Sequence, residues 1–251
     1  MNELILKKLH EIEEKEGVTV LHAVESGSRA WGFASPDSDY DVRFIYLRSP
    51  EYYLKLEPTR DVIEWQLDET LDVNGWDLQK MLRLLYKSNP TIFEWMNSPI
   101  VYKTTPAWEE ITATVRAYFQ PKAALYHYLS TAKRTYLTQL KGEAVKYKKY
   151  FYILRPLLAA RWVQEKKESA PMLFADLLTQ SLPQEVRAVV EELLAIKRQS
   201  GEAMIGPHIE VLDRYAEEQM ALLEAQLKAL PEEKPKSWEP LDHCFIKTIN
   251  G

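Results

Sequence analysis

The sequence predicts an α+β protein: a small mixed β-sheet with helices over residues 1–112, followed by an all-helical stretch over residues 113–251. Three observations predict it. Short apolar runs bounded by turn residues stand in the first part of the chain. Beyond about residue 110 only helical signals remain. The charge also shifts: Arg116 to Lys167 holds 12 Lys and Arg against Glu143 and Glu165 alone, so this segment carries +10 and the rest of the chain −15.

The elements follow in order. Leu4, Ile5, Leu6, Leu9 and Ile12 recur at helical spacing and give an opening amphipathic helix. Val18 to Val24 is a strand ending at Ser26-Gly27-Ser28. Tyr40 to Leu47 is a second strand, after the turn-rich Ser35-Pro36-Asp37-Ser38. Asp61 to Leu67 and Thr70 to Val73 are two more. Asp77 caps a helix to about Lys87, and Asn89-Pro90 caps and opens another that ends near Ser98-Pro99. The later helices are Pro121 to Lys141, closed by Gly142; Glu143 to Lys167, kinked at Pro156; Pro183 to Ser200, closed by Gly201; and Pro207 to Leu230, stopped by Pro231. Glu232 to Pro240 reads as a polar linker, and Leu241 to Ile249 as a short apolar ending that docks back on a domain.

Composition bounds what the chain does. Its 251 residues suit one large or two small domains, and 46% hydrophobic residues suffice for a core. A net charge of −5 argues against coating nucleic acid along the whole surface. The single cysteine, Cys244, excludes an internal disulfide and a cysteine-rich zinc site. Met1 to Gly17 lacks the apolar core of a signal peptide, and no apolar run approaches the roughly 18 residues of a membrane span. A soluble, cytoplasmic protein with no membrane partner is expected.

The chemistry concentrates at Gly27-Ser28 and, ten residues on, Asp39-Tyr40-Asp41-Val42. Carboxylates at i and i+2 on a strand share a face, which is costly unless a cation sits there. Mg²⁺ is the cation expected, because it takes oxygen ligands shared between carboxylates and phosphates. A glycine at a strand end lets backbone N–H groups approach an anion, and the serine hydroxyl adds a donor.

The run from Gly27 to Val42 resembles the signature of the polymerase-β-type nucleotidyltransferase superfamily. Glu25-Ser-Gly-Ser-Arg-Ala-Trp-Gly32, Lys87-Ser-Asn-Pro90 and Glu94-Trp95 resemble its bacterial YcgL-like branch, labelled an RNA-repair-pathway relative of DNA polymerase β. The resemblance implies a nucleotidyltransferase domain over 1–112 and a helical domain over 113–251 that binds nucleotide or acceptor. It implies two Mg²⁺ ions, with Mn²⁺ as a substitute, on Asp39, Asp41 and a third carboxylate. Asp72 is preferred for the third because it falls within a strand-like run. Asp77 competes, with a rival role as a helix cap, and Glu64 is a third choice. Gly27, Ser28 and Arg29 would then meet the nucleotide. On the basic helix, Lys148, Tyr152 and Arg155 lie at i, i+4 and i+7; the cations suit phosphates and the tyrosine suits the base.

The activity so implied moves a nucleoside monophosphate from a nucleoside triphosphate to a hydroxyl acceptor and releases pyrophosphate. Seven of the 14 tyrosines interleave with the basic residues of 116–167, which suits an RNA acceptor; the rival reading of the segment is a solvated helical face. AMP transfer to a protein or small molecule, and a non-catalytic, antitoxin-like binding member, remain as alternatives. The nucleotide, the acceptor and the oligomeric state stay open.

Overall fold

Among the described residues the principal sheet has five strands, in the spatial order Val62–Gln66, Leu71–Asp77, Tyr40–Leu47, Thr19–Glu25 and Val101–Thr104. The structure is a computed structural model that describes residues 1–66, 70–199, 204–234 and 236–251. In chain order its elements begin with α1 (Asn2–Glu16), β1 (Thr19–Glu25), α2 (Gly27–Ala30), β2 (Tyr40–Leu47), α3 (Pro50–Tyr53), β3 (Val62–Gln66) and β4 (Leu71–Asp77). Then come α4 (Leu78–Tyr86), α5 (Pro90–Met96), β5 (Val101–Thr104), α6 (Pro106–Ala117) and α7 (Pro121–Gln139). The remainder are β6 (Ala144–Lys146), α8 (Lys148–Lys166), α9 (Phe174–Leu177), α10 (Gln184–Gln199), β7 (Ile205–Pro207), α11 (Glu210–Ala229) and α12 (Glu239–Asn250). No helix among the described residues is long and apolar enough to cross a membrane.

The chain divides into two units: Met1–Ala30 with Asp39–Phe119 and Pro235–Gly251, and Trp31–Ser38 with Gln120–Lys234. The sequence pattern predicts one boundary, at 112/113. Each unit is built from separate chain segments, because contacts between chain-distant segments assign 31–38 and the C-terminus, and sequence adjacency carries no record of them.

In the first unit β2 and β4 run parallel, and every other pair in the sheet is antiparallel. Strand alternation supplies one side chain to each face in turn. Val42, Phe44 and Tyr46 of β2, with Leu71 and Val73 of β4, meet Ile5, Leu9 and Ile12 of α1 in one buried cluster. Ile45 belongs to a second cluster on the other face, with side chains from α4, α5, α6 and Leu241 of α12. β1 serves both clusters by alternation, and an irregularity between Val20 and His22 shifts its parity. Val20 and Ala23 join the first, Leu21 and Val24 the second. β4 runs on to Asp77, four residues past its expected end, since the parallel register with β2 continues to Tyr46↔Asp77. β5 and α6 had no place in the sequence reading. The expected strand end at Leu67 and the expected close at Ser200-Gly201 lie outside the described residues.

The second unit is helical but for a two-stranded ladder, β6 with β7. Glu143 to Lys146 reads as helix in sequence; its pairing with 205–207, remote in the chain, makes Ala144 to Lys146 a strand instead. α8 runs through Pro156 without a break and is buried over most of its length. Three side chains of the basic, tyrosine-rich segment bond to the acidic α11 within this unit. Lys133 meets Glu224 at 2.6 Å, the Tyr136 hydroxyl donates to Glu217 at 2.6 Å, and that of Tyr150 donates to Asp213 at 3.0 Å. Lys122 bonds Glu232 at 2.5 Å, so the expected linker is tied to the unit through its side chains.

Candidate active site around Asp41 and Asp72

Parity and register bring the central carboxylates together. Val42, Phe44 and Tyr46 face α1, so Asp41 and Arg43 face the other way. Leu71 and Val73 likewise put Asp72 on that opposite face. The parallel ladder sets Asp41 beside Asp72. One guanidinium nitrogen then serves both: Arg43 Nη2 lies 2.9 Å from Asp41 Oδ1 and 2.7 Å from Asp72 Oδ2. Arg43 Nη1 donates to the carbonyls of Val42 at 3.0 Å and Asp72 at 3.2 Å.

The other side of Asp41 is closed by backbone. Gly27 opens the short helix α2 with φ +59°, and a Cβ built there would lie 2.0 Å from Asp41 Oδ2. Only glycine permits this approach at this dihedral angle. Ser26 donates its N–H to the Asp41 carbonyl at 2.8 Å. The Asp41 N–H donates to Glu25 Oε1 at 2.7 Å. Glu25 is fully buried and accepts from the Tyr102 hydroxyl at its second oxygen. Burial pushes the Glu25 carboxyl up, opposed by the Tyr102 hydroxyl and then by the Asp41 amide. Ser28 is buried beside Gly27. Arg29 donates from Nε to the Asp39 carbonyl at 3.0 Å and lies 3.7 Å above the Tyr40 ring. It thereby fixes the backbone that enters β2. Asp39 is exposed, one residue before that strand.

The competing carboxylates sit elsewhere. Asp77 is buried at the N-cap of α4, where Oδ1 accepts from the Gln79 amide at 2.7 Å and Oδ2 from the Tyr53 hydroxyl at 2.9 Å. Its carboxyl is pushed up by burial, with those two bonds opposing. Glu64 lies on β3 opposite Asn74 and reaches Arg60 at 3.2 Å.

In the second unit, Lys148 and Tyr152 are half-buried on α8 and Arg155 is buried. The Arg155 guanidinium lies 4.5 Å over the Trp31 ring, and Nη2 reaches the Met172 carbonyl at 3.5 Å. Tyr152 meets Trp31 edge-on, with centroids 5.4 Å apart. Phe33 packs on Phe151 and Phe174. The connection between Gly27-Ser28 and the aspartates thus runs through the second unit as 31–38, and Tyr152 and Arg155 hold its Trp31. Lys148 lines a small hollow with Tyr147, Phe151, Leu193, Lys197 and Met204.

The donor chemistry suits a hard cation: the converging groups are oxygen anions, and two of them already share one cationic nitrogen. Among the described residues, no three His, Cys, Asp or Glu side chains are grouped so as to hold an ion. Asp41 and Asp72 are the pair brought together. Arg43 and Glu25 went unremarked as site residues in the sequence. For Arg43 a signal was available, since i+2 parity from Asp41 places it on the carboxylate face. The buried Glu25 had no comparable signal.

The mixed sheet, with this carboxylate pair beside a glycine turn, belongs to a chain of the polymerase-β-type nucleotidyltransferase-like class, which the family match shows. The chain belongs to the RNA repair pathway DNA polymerase beta family, which residues 1–247 match. It is 40% identical over 251 residues to the uncharacterized protein YcgL of Bacillus subtilis strain 168, covering 99% of this chain and 96% of that one. A solved nucleotidyltransferase-like protein from Exiguobacterium sibiricum aligns over 90% of this chain and 75% of its own, at 12% identity and a TM-score of 0.31, a likeness too slight to bear on the site.

Proposed function

We propose that the chain is a metal-dependent nucleotidyltransferase that moves a nucleoside monophosphate from a nucleoside triphosphate to a hydroxyl acceptor and releases pyrophosphate. The observation that supports it is the Asp41–Asp72 pair, converging across a parallel ladder on one cationic position. Asp41 and Asp72 would hold Mg²⁺, and the exposed Asp39, which is not grouped with them, would have to turn towards them to join. The chemistry such an ion supplies when bound is a lowered pKa for the acceptor hydroxyl and neutralisation of charge on the phosphates.

The chain's own residues do the rest. Gly27, with no side chain, brings backbone up to the Asp41 carboxylate, and its N–H and that of Ser28 suit phosphate oxygens. Arg29 holds the Asp39 backbone in place. Lys148 suits the triphosphate and Tyr152 the base. Arg155, buried under Trp31, contributes by positioning that ring. The family's description makes an RNA 3′ end the first acceptor to try.

Incubation with each α-labelled triphosphate, Mg²⁺ and pooled cellular RNA tests the reading. Label is expected in a defined fraction. Asp41→Asn and Asp72→Asn should keep a folded far-UV spectrum and lose about a hundredfold or more of transfer, each tenfold corresponding to roughly 1.4 kcal/mol of barrier. Folded variants with near-full transfer would sink the reading.

A further inference from the structure

The Arg43 guanidinium sits where the Asp41 and Asp72 carboxylates converge. Its Nη2 lies between Asp41 Oδ1 and Asp72 Oδ2, while Nη1 binds two strand carbonyls. The guanidinium side chain is 18% exposed against 30% for Asp41 and 49% for Asp72, so it lies beneath the carboxylates and not out in solvent. A divalent ion and a guanidinium cannot share the same oxygens without like-charge repulsion. We propose that Arg43 is the resident counter-cation of this site: it keeps Asp41 and Asp72 converged when no metal is bound, and it competes with the metal for them.

This rests on the metal-dependent reading above and adds a setting of metal affinity to it. Loading an ion here requires Nη2 to give up two charge-assisted hydrogen bonds. Loss of the guanidinium removes that competition and takes from the two neighbouring carboxylates the cation they share. An arginine is suited to the place because its planar fork can bond carboxylates and backbone carbonyls together.

The test is Mn²⁺ binding to the EDTA-treated full chain, followed by electron paramagnetic resonance, for the parent, Arg43→Gln, Arg43→Lys and Arg43→Gln/Asp72→Asn. Arg43→Gln should bind Mn²⁺ about tenfold or more tighter than the parent, the size of a lost charge-assisted contact. Arg43→Lys should stay near the parent, and the double variant should lose the gain. In EDTA, Arg43→Gln should melt below the parent and recover more on adding Mn²⁺. If Arg43→Gln does not fold in EDTA, recovery of its far-UV spectrum with Mn²⁺ supports the proposal, and no recovery overturns it. Parent binding with no tightening in folded Arg43→Gln overturns it while the metal-dependent reading stands. A gain that survives Asp72→Asn overturns it too, since the ion would lie elsewhere. If no folded protein in the set binds Mn²⁺, the metal-dependent reading fails and Arg43 has nothing to compete with.

Discussion

Asp41 is held from four directions by groups with different physical roles. Glu25 accepts its amide, Ser26 donates to its carbonyl, Arg43 pairs one carboxylate oxygen, and the Gly27 backbone closes on the other. Gly27 is the position where a single methyl group decides the outcome. Gly17 offers an internal control, since it has φ +61° but no atom within 4 Å of an added Cβ. Both Gly17→Ala and Gly27→Ala should lose about 1–2 kcal/mol to the left-handed backbone, measurable by urea unfolding. Only Gly27→Ala should also displace the Asp41 carboxylate, and nucleotide transfer should fall at least about tenfold beyond any loss of folded protein. Equal activities in the two folded variants would show that the close approach does not matter.

At the scale of the element, the β4–α4 junction separates two aspartates that look alike in sequence. Asp72 sits near the start of the ladder beside Asp41, with its side chain half exposed. Asp77, five residues on, is buried at the strand's end and begins α4. Its two oxygens serve the Gln79 amide and the Tyr53 hydroxyl. Asp77→Ala should therefore cost about 1–2 kcal/mol, as a lost cap and an orphaned buried hydroxyl do. The melting temperature should fall while transfer by the folded fraction stays near that of the parent. Loss of transfer with unchanged melting would move the catalytic role to Asp77.

For the whole molecule, stability should turn on one buried imidazole in the first unit. His22 is 5% exposed and stacks on Trp108, ring centroids 4.6 Å apart. Burial pushes its pKa down to about 4, the Trp95 backbone opposing. An unfolded chain binds this proton below about pH 6.5 and the folded one below about 4. Stability is thus fully present above pH 6.5 and is lost as pH falls towards 4, by roughly 3 kcal/mol from this group. Urea unfolding midpoints at pH 7 and pH 4.5 should differ less in His22→Phe than in the parent. An equal acid loss in both would place the acid sensitivity elsewhere. In the second unit α11 meets the basic, tyrosine-rich segment in two ways: Glu224 pairs with Lys133, while Glu217 and Asp213 accept from the Tyr136 and Tyr150 hydroxyls. Those tyrosine hydroxyls are thereby committed to packing within the unit, which the composition of the segment alone does not reveal.

The sequence by itself determined the α+β order, the strand at 40–47 to the residue, the caps at Asp77 and Asn89, and the Gly27-Ser28 to Asp39/Asp41 spacing. Each of these is local: a period of two or 3.6, a capping side chain, or a short motif carries it within a few neighbouring residues. The different placement of Asp72 and Asp77 was half legible, because the strand-like run around Asp72 and the cap at Asp77 both show in sequence, but their distance from Asp41 does not. Four things were decided only by tertiary structure: the β2–β4 register that sets Asp72 beside Asp41, the burial of Glu25 beneath it, the pairing of 144–146 with 205–207, and the assignment of 31–38 to the second unit. Each joins residues far apart in the chain through ladder bonds or shared burial, and a periodicity read along one segment holds no information about which distant segment will complete it.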